Sequence, residues 1–436
     1  MEQKLRILAL SFFLLFVLPI NTRNIGKFLV MNDIHVDQKY RVGSMADCEY
    51  PASCCCRDEP TPDYKGALAE KWGSKDCQTT NITFEAGIKS AAAQENIDFM
   101  LLIGDYPSMD VWRQTKEYNV GVDTYVIDTI KKHIKVPVIP AIGNHDLYPA
   151  NEFDCSGNTT WFYDKMSELY GEWLPKDKTT FKFCGWYSHT IFPTLKFIIL
   201  NDMLCDPYNF YEYDVNHFPK QQLDWLKSEL EDSRNKKQKV YIVTHIPLGP
   251  DTTEIWPPVC WYDYSMLYAN VWTNYSDIIA SGFSGHTHTD EFRIVYDSKT
   301  GEIGKGMFLI SPSFSNENNR YSGYRIYEYD KDTWEIINYY QWYANIEKSN
   351  KDDTEPKWEL YYDFLSTYNP YGINDLSSDS LATLTNNLGS DTSLYKTFAT
   401  LYSPLHDIYK DKRKAELICG LSIKTEAQHL DCIKKY

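Results

Sequence analysis

Val136-Pro137-Val138-Ile139-Pro140-Ala141-Ile142 is an apolar run, and Gly143-Asn144-His145-Asp146 follows it directly. The run predicts a buried strand, and Gly143 permits the sharp turn that ends it. Asn144 can offer a neutral amide oxygen to a metal ion, and His145 beside it can carry protons. A single tetrapeptide of this kind is more often an ordinary polar loop. The metal hypothesis therefore depends on matching ligands elsewhere in the chain.

Four further predicted strands end in side chains that can bind a metal. Asp33 and His35 close the strand over 27–34, Asp105 follows 99–103, His245 follows 240–243, and His286 and His288 follow Phe283. Open α/β sheets present their binding sites at the carboxyl ends of their strands. Residues two apart in an extended chain share a face, so Asp33 and His35 can reach one metal. Five such strand ends in one chain predict a metal centre.

Strands and helices alternate in the first half of the chain, which predicts a sheet layered with helices. Predicted helices cover residues 84–96, 122–134 and 223–230, a further strand covers 195–200, and hairpin-like strands cover 292–296, 307–310 and 324–329. Residues 347–356 look like a linker. The apolar spacing beyond it predicts helices over 358–364, 381–388 and 394–402. We predict one domain over 24–346 and a helical C-terminal subdomain over 347–436.

The N-terminus has the layout of a secretory signal. Lys4 and Arg6 precede an apolar run over 7–20, which is short for a membrane span, so we predict a signal over 1–23. An uncleaved anchor is the alternative. The 11 cysteines and the sequons at Asn81, Asn158 and Asn274 agree with a secreted, extracellular or lysosomal glycoprotein.

Composition limits the classes of partner. The formal net charge of −16 argues against a nucleic-acid-binding surface and against docking on anionic membranes. Residues 150–190 hold Trp161, Phe162 and Trp173, which we assign to the core, with peripheral membrane contact as the alternative. We expect a monomer with a small phosphodiester or phospholipid-headgroup substrate.

The candidate ligands are Asp, Asn and His without thiolates, a set that suits Zn, Mn or Fe. Seven ligands are too many for one tetrahedral ion, so two ions that share a carboxylate are expected. Two metals roughly 3.5–4 Å apart clamp the attacking and leaving oxygens at phosphorus, and a bridging hydroxide is the expected nucleophile.

These motifs, in this order, resemble the calcineurin-like metallophosphoesterases, and within them the acid sphingomyelinase and acid sphingomyelinase-like phosphodiesterase family. The closer resemblance lies in Asp33-Ile-His-Val-Asp-Gln-Lys-Tyr40, Cys55-Cys56-Arg57, Gly104-Asp105-Tyr-Pro-Ser-Met-Asp-Val-Trp112, Thr244-His-Ile-Pro247, Ser322-Gly-Tyr-Arg325 and the tail from Trp358 to Cys432. It implies a layered α/β sandwich and two zinc ions, with other divalent metals as the alternative.

The resemblance also implies roles for single residues. One zinc would take Asp33, His35, Asp105 and His288, and the other Asp105, Asn144, His245 and His286. His145 falls on the family's catalytic histidine, which protonates the leaving group. The implied disulfides are Cys48–Cys55, Cys56–Cys77, Cys205–Cys260 and Cys419–Cys432. We add Cys155–Cys184 from its position in the aromatic segment and leave Cys54 without a partner.

Two departures from the family pattern bear on the reaction. Acid sphingomyelinases carry a saposin-like domain before the first strand, and we expect none here, which favours the branch that includes enzymes of soluble nucleotides. A family active-site histidine corresponds to Met109, whose thioether cannot donate a proton. We therefore expect a secreted binuclear phosphodiesterase. The alternatives are a true sphingomyelin phosphodiesterase that releases ceramide and phosphocholine, and a metal-bound protein with little turnover.

Overall fold

Two mixed β-sheets pack against each other at the centre of the molecule. The structure is a computed structural model, and it describes residues 23–47, 56–212, 220–252, 256–296, 306–317, 320–403 and 413–436. Phe28 of one sheet contacts Phe283 of the other with ring centroids 5.3 Å apart, and Phe99 contacts Phe197 at 5.1 Å. These buried rings form the core between the sheets, which confirms the predicted α/β sandwich.

The first sheet has six strands in the order β12-β11-β10-β1-β2-β3, and the second has seven in the order β13-β8-β9-β7-β6-β5-β4. The strands are β1 Ile25–Met31, β2 Ile97–Ile103, β3 Val138–Ala141, β4 Tyr187–Phe192, β5 Leu195–Ile199, β6 Lys239–Val243, β7 Ile279–Ser284, β8 Glu291–Val295, β9 Gly306–Ile310, β10 Ser322–Asp330, β11 Ile336–Ala344, β12 Trp358–Asp363 and β13 Ser422–Ile423. Strands β1, β2 and β3 run parallel, and so do β5, β6 and β7. Their carboxyl ends therefore bring the predicted ligands to one edge of the sandwich.

Twelve α-helices accompany the sheets in the described ranges. They are α1 Asn81–Ala92, α2 Lys116–His133, α3 Thr160–Tyr170, α4 Thr179–Cys184, α5 Lys220–Asn235, α6 Tyr262–Asn274, α7 Ile346–Asp352, α8 Phe364–Tyr368, α9 Ser378–Leu388, α10 Thr392–Tyr402, α11 Lys414–Gly420 and α12 Glu426–Ile433. Short 3₁₀ turns cover Val111–Arg113, Gly171–Trp173, Asp202–Cys205, Phe210–Glu212 and Asn369–Tyr371.

Helix ends follow local chemistry. The hydroxyl of Thr115 caps α2 by accepting from the Tyr118 N–H, and the last turn of α2 carries Lys131, Lys132 and His133. A capping side chain satisfies a free N–H, and cations at the C-terminus favour the helix dipole. The same rules make α2 begin earlier than predicted, at Lys116.

Three sequence predictions about local structure were wrong. The strand predicted over 27–34 ends at Met31, because Asp33 and His35 have left-handed backbone that cannot continue a strand. Residues 358–363 form β12, since pairing with β11 outweighs their helical apolar spacing. The expected linker contains α7, which the Asn345 side chain caps. Residues 150–190 hold α3, α4 and most of β4.

The C-terminal tail is largely helical and is joined to both sheets. Strand β12 extends the first sheet through β11, and β13 lies parallel to β8 at the edge of the second. The tail therefore joins the α/β sandwich at two separate places.

Candidate metal centre

The structure brings the seven predicted ligands together at the carboxyl ends of the strands. Two groups have ligand atoms within 4.8 Å of one another: Asp33, His35 and His288, and Asp105, His245 and His286. The amide oxygen of Asn144 joins the second group, 3.0 Å from His245 Nε2 and 2.9 Å from His286 Nδ1.

The two carboxylates link the two groups. Asp105 Oδ2 lies 3.6 Å from His35 Nε2 and 3.2 Å from His245 Nε2. Asp33 Oδ1 lies 3.3 Å from His288 Nε2 and 3.8 Å from His245 Nε2. Both acids are buried, Asp33 at 0% exposed and Asp105 at 1%. The centre is thus one continuous cluster with its negative charge in the middle.

Hydrogen bonds on the far side of two imidazoles fix which ring atom faces the cluster. His35 Nδ1 lies 2.8 Å from the Pro107 carbonyl, and His245 Nδ1 lies 2.8 Å from the Ile103 carbonyl. A carbonyl can only accept, so each Nδ1 donates its hydrogen and each Nε2 turns a lone pair inward. His35 Nε2 then lies 3.0 Å from His288 Nε2.

The inward lone pairs of His35 and His245 converge with the carboxylate oxygens of Asp33 and Asp105, and such an arrangement fits cations. Neutral imidazole, carboxylate and amide oxygen are the donors that bind zinc and similar divalent metals. Seven such donors in two overlapping groups fit two ions better than one.

The pKa values of these groups are shifted because the groups are buried and lie close to one another. Burial raises the pKa of Asp105, but His245 and His145 lower it further, so that it falls well below its usual range. Burial lowers the pKa of His245, but Asp105 outweighs burial and raises it to about 10. Burial lowers the pKa of His35 and of His286 to about 3. The opposite shifts show that Asp105 and His245 interact strongly with each other.

The backbone carries strain at most of the ligands. Five of them have positive φ: Asp33 at 49°, His35 at 45°, Asp105 at 59°, His286 at 71° and His288 at 59°. Residues other than glycine seldom adopt this region, and such outliers cluster at functional sites. Asp33 and His35 thus meet the centre through a left-handed turn, and the expectation that the chain stays extended there was wrong.

Two glycines let the ligand loops approach each other. A β-carbon on Gly104, whose φ is +69°, would clash with the backbone of Gly143. A β-carbon on Gly143 would clash with Asp105. Glycine at both positions allows Asp105 and Asn144 to enter one site.

His145 stands beside the cluster. Its N–H donates to Asp105 Oδ1 at 2.8 Å, its carbonyl accepts from Asn119 Nδ2 at 3.0 Å, and its ring lies 5.2 Å from that of His35. In the described part of the chain, its buried Nδ1 has no hydrogen-bond partner. Burial lowers the pKa of its ring. The ring is therefore positioned by its backbone and left free for another partner.

Two buried arginines fix the loops that follow His35 and His288. Arg57 Nε donates to Asp37 Oδ2 at 2.8 Å, and its guanidinium also pairs with Asp110. Arg325 pairs with Asp290, and its Nε donates to Gln341 at 2.9 Å. Asp37 and Asp290 each stand two residues after a candidate ligand histidine. We name these the Arg57 clamp and the Arg325 clamp.

The sequence analysis did not predict that Arg57 and Arg325 form ion pairs next to the candidate ligands. Arg57 and Arg325 entered only as carriers of the family resemblance. Asp37, Asp110 and Asp290 lie within motifs already quoted, but their partners are distant in sequence. An arginine inside the otherwise uncharged run Ser322-Gly-Tyr-Arg-Ile-Tyr327 is the one local signal, since a buried charge needs a partner.

Four disulfides lie in the described ranges: Cys56–Cys77, Cys155–Cys184, Cys205–Cys260 and Cys419–Cys432. The predicted pair Cys48–Cys55, the residue Cys54 and the predicted signal lie outside the described residues. Of the sequon residues, Asn158 and Asn274 are exposed and Asn81 is half-buried. None of the helices in the described ranges is long and apolar enough to span a bilayer.

Comparisons with known proteins agree with this geometry. The profile of the Calcineurin-like phosphoesterase family matches residues 26–290, and that of the Acid sphingomyelin phosphodiesterase C-terminal region matches 305–436. Sphingomyelin phosphodiesterase A of Dictyostelium discoideum is 30% identical over 94% of this chain and 68% of its own length.

Two mammalian relatives differ in extent. Sphingomyelin phosphodiesterase of Bos taurus is 29% identical over 88% of this chain, which spans 61% of that protein. A cyclic GMP-AMP phosphodiesterase of Homo sapiens is 27% identical over 96% of this chain and 93% of its own length. The chain is thus an enzyme of the calcineurin-like metallophosphoesterase family, in the group that carries the acid sphingomyelin phosphodiesterase C-terminal region.

Proposed function

We propose that this chain is a secreted phosphodiesterase that works with two divalent metal ions, zinc before any other. The observation that carries the proposal is the convergence of seven acceptor atoms, with Asp33 and Asp105 between the two groups. Two ions bound there would polarise the phosphate and lower the pKa of a water molecule that attacks phosphorus. Four disulfides support export, because disulfides persist in oxidising compartments.

We assign the ligands as the strand-end motifs suggest. Asp33, His35, Asp105 and His288 would hold one ion, and Asp105, Asn144, His245 and His286 the other. Asp105 faces both imidazole groups with its Oδ2, while its Oδ1 accepts from the His145 N–H. This bond keeps the shared oxygen directed at the centre.

His145 is the residue that would protonate the leaving group. Its ring is next to the ligands, its Nδ1 makes no hydrogen bond in the described chain, and its backbone is fixed on both sides. Met109 cannot share the task, because a thioether has no proton to give. Good leaving groups should therefore be favoured.

The substrate proposal follows the aromatic segment as well as the relatives. Phe162 is 0% and Trp173 8% exposed, and Lys116 Nζ stands 3.7 Å over the Trp161 ring. These rings belong to the core and its margin, so they do not give the chain a membrane-contacting face. We propose water-soluble or detergent-dispersed phosphodiesters as preferred substrates.

Sphingomyelin hydrolysis to ceramide and phosphocholine is the second candidate. The names of the relatives favour it, since several are sphingomyelin phosphodiesterases. A comparison of liposomal sphingomyelin, the same lipid in detergent and a nucleotide diester separates the two candidates. Fastest cleavage in liposomes without an activator would contradict our preference.

The first test uses purified protein with bis(p-nitrophenyl) phosphate and added zinc. We expect turnover that is lost on chelation and restored by metal, with about two ions per chain in elemental analysis. Well-folded, undialysed protein with one ion or none, or with metal but no turnover, would overturn the proposal.

A further inference from the structure

A cavity has a volume of about 390 Å³, within the range of roughly 300–1,000 Å³ that small-molecule sites occupy. Its walls come from Ala46, from residues between 67 and 75, from Asn316, Arg320 and Tyr321, and from 345–347. A narrower depression that reaches His288 shares Arg320 and Tyr321 with the cavity. Arg320 and Tyr321 therefore stand between the metal centre and the cavity.

Arg320 is a cation without a counter-charge. In the described ranges it has no ion-pair partner, and its buried Nε has no hydrogen-bond acceptor. The side chain is half-buried, and an anion that accepts from Nε would make a charge-assisted hydrogen bond there. The cavity walls also carry Lys75, which lies 3.8 Å from Asp76, and the carboxylates of Glu70 and Glu347. Glu70 accepts a hydrogen bond from Asn350. The anion contact is therefore assigned to Arg320 and not to the cavity as a whole.

Three tyrosines line the same path with their rings. Tyr321 lies 4.8 Å from Tyr343 and 5.8 Å from Tyr361, and Tyr343 lies 5.0 Å from Tyr361, measured between ring centroids. All three are half-buried. A wall of aromatic rings binds planar groups by stacking. We call these residues the tyrosine wall.

We propose that Arg320 and the tyrosine wall bind the part of the substrate beyond the scissile phosphate, and that this part carries a second phosphate and a planar ring. Nucleotides with two phosphates have this chemistry. A choline headgroup does not, because Arg320 would repel its quaternary ammonium. The inference rests on the proposed phosphodiesterase function and names its substrate class.

The test compares two inhibitors that differ by one phosphate. Thymidine 3′-phosphate and thymidine 3′,5′-bisphosphate are measured as competitors of bis(p-nitrophenyl) phosphate. We expect the bisphosphate to bind about tenfold more tightly or better, through charge-assisted hydrogen bonds to Arg320. Arg320→Gln should remove this difference and leave kcat/KM for the small diester unchanged. Chelation of metal by the bisphosphate would affect both proteins equally.

Two further variants test whether the tighter binding of the bisphosphate comes from Arg320 and the tyrosine wall. Arg113→Gln removes an exposed arginine that pairs with Asp58 and should change nothing. Tyr321→Leu should weaken thymidine bisphosphate and leave propane-1,3-diol bisphosphate, which lacks a ring, unaffected.

Three outcomes would overturn the inference: equal binding of the two thymidine ligands by the parent, a difference that survives in Arg320→Gln, or slower hydrolysis of p-nitrophenylphosphocholine by that variant, since loss of a repelling cation should speed it. If the parent fails to hydrolyse bis(p-nitrophenyl) phosphate, the proposed function fails instead. Calorimetric titration with both ligands then still tests the subsite.

Discussion

The two sheets make unequal contributions to the metal centre. The six-stranded sheet supplies Asp33, His35, Asp105 and Asn144, and the seven-stranded sheet supplies His245, His286 and His288. All of the formal negative charge thus comes from one side, and the other side offers only imidazoles. We therefore expect changes on the first side to weaken cation binding more than changes on the second.

The two arginine clamps also lie on different sides of the centre, one on the side that supplies the aspartates and one on the side that supplies only histidines. The Arg57 clamp joins the aspartate side to the cysteine-rich segment, because Arg57 follows the disulfide-bonded Cys56. The Arg325 clamp joins the histidine side to the C-terminal tail, because Asp290 also accepts from the Tyr362 hydroxyl. Each half of the centre is therefore braced by a different part of the chain.

Asp105→Ala should have the largest effect, because its carboxylate faces histidines from both sides. We expect metal content to fall from about two ions to less than one, with loss of phosphodiesterase activity. His286→Ala, on the histidine side, should cost about one ion. Elemental analysis of both variants after gel filtration measures their metal content. If both variants lose the same amount of metal, the two sheets contribute equally to metal binding.

His145→Ala should slow hydrolysis of diesters with poor leaving groups by about 10²–10⁴-fold, the usual range for general acid catalysis. Nitrophenyl esters should lose less, because nitrophenolate leaves without a proton. Metal content should stay at the parental level, since His145 is on the aspartate side without being a ligand. An equal loss with both ester types would argue against the assignment.

Arg325→Met should lower the free energy of unfolding by about 3–5 kcal/mol, because it leaves Asp290 charged and buried. Arg325→Met combined with Asp290→Asn should recover part of that loss, since the remaining group is neutral. Urea denaturation of the metal-free proteins measures both. The exposed pair Arg113–Asp58 gives the control, and Arg113→Met should change stability by less than about 1 kcal/mol.

Arg57→Met should weaken metal binding by about 10–100-fold, as expected when a group that orients a ligand is removed. The loss should fall on the ion held by His35, because Asp37 is two residues beyond it. Reduction of Cys56–Cys77 should act in the same direction by loosening Arg57. Competition with a zinc indicator measures the affinity for zinc. An unchanged affinity after both treatments would show that the Arg57 clamp does not support metal binding.

A more gradual effect, spread over several pH units, concerns Asp202, a buried acid on the histidine side that pairs with no arginine in the described residues. Burial raises the pKa of its carboxyl to about 8. Between about pH 4 and 8 the folded chain then binds more protons here than the unfolded chain, so stability falls as pH rises, by at most about 1.4 kcal/mol per unit. Asp202→Asn should flatten this slope in metal-free protein. Denaturation at several pH values tests it, and an unchanged slope would contradict the sign.

Much of the centre could be predicted because its signals are local. Each ligand stands just after an apolar run, and parallel strands bring such positions to one edge. The left-handed turn at Asp33 could not be predicted, because close packing against Asp105 imposes it and no nearby residue requires it. The clamps could not be predicted either, since Arg57 and Asp110 or Asp290 and Tyr362 are joined only by the fold.

The strand over 358–363 shows a further limit of pattern reading. Its apolar residues, among them Trp358 and Leu360, are spaced as in a helix, yet the segment pairs with β11. An edge strand is selected by its neighbour more than by its own pattern. A sequence alone does not state which edge is open.

The left-handed backbone at five candidate ligands lowers the stability of the fold while it directs their side chains to the centre. Non-glycine residues in that region cost of order 1–3 kcal/mol each, and five of the seven ligands pay it. The substitution His35→Gly would remove the backbone strain and the candidate metal ligand at the same time. Histidine and aspartate at all five positions therefore bring their side chains to one centre at a cost in folding stability.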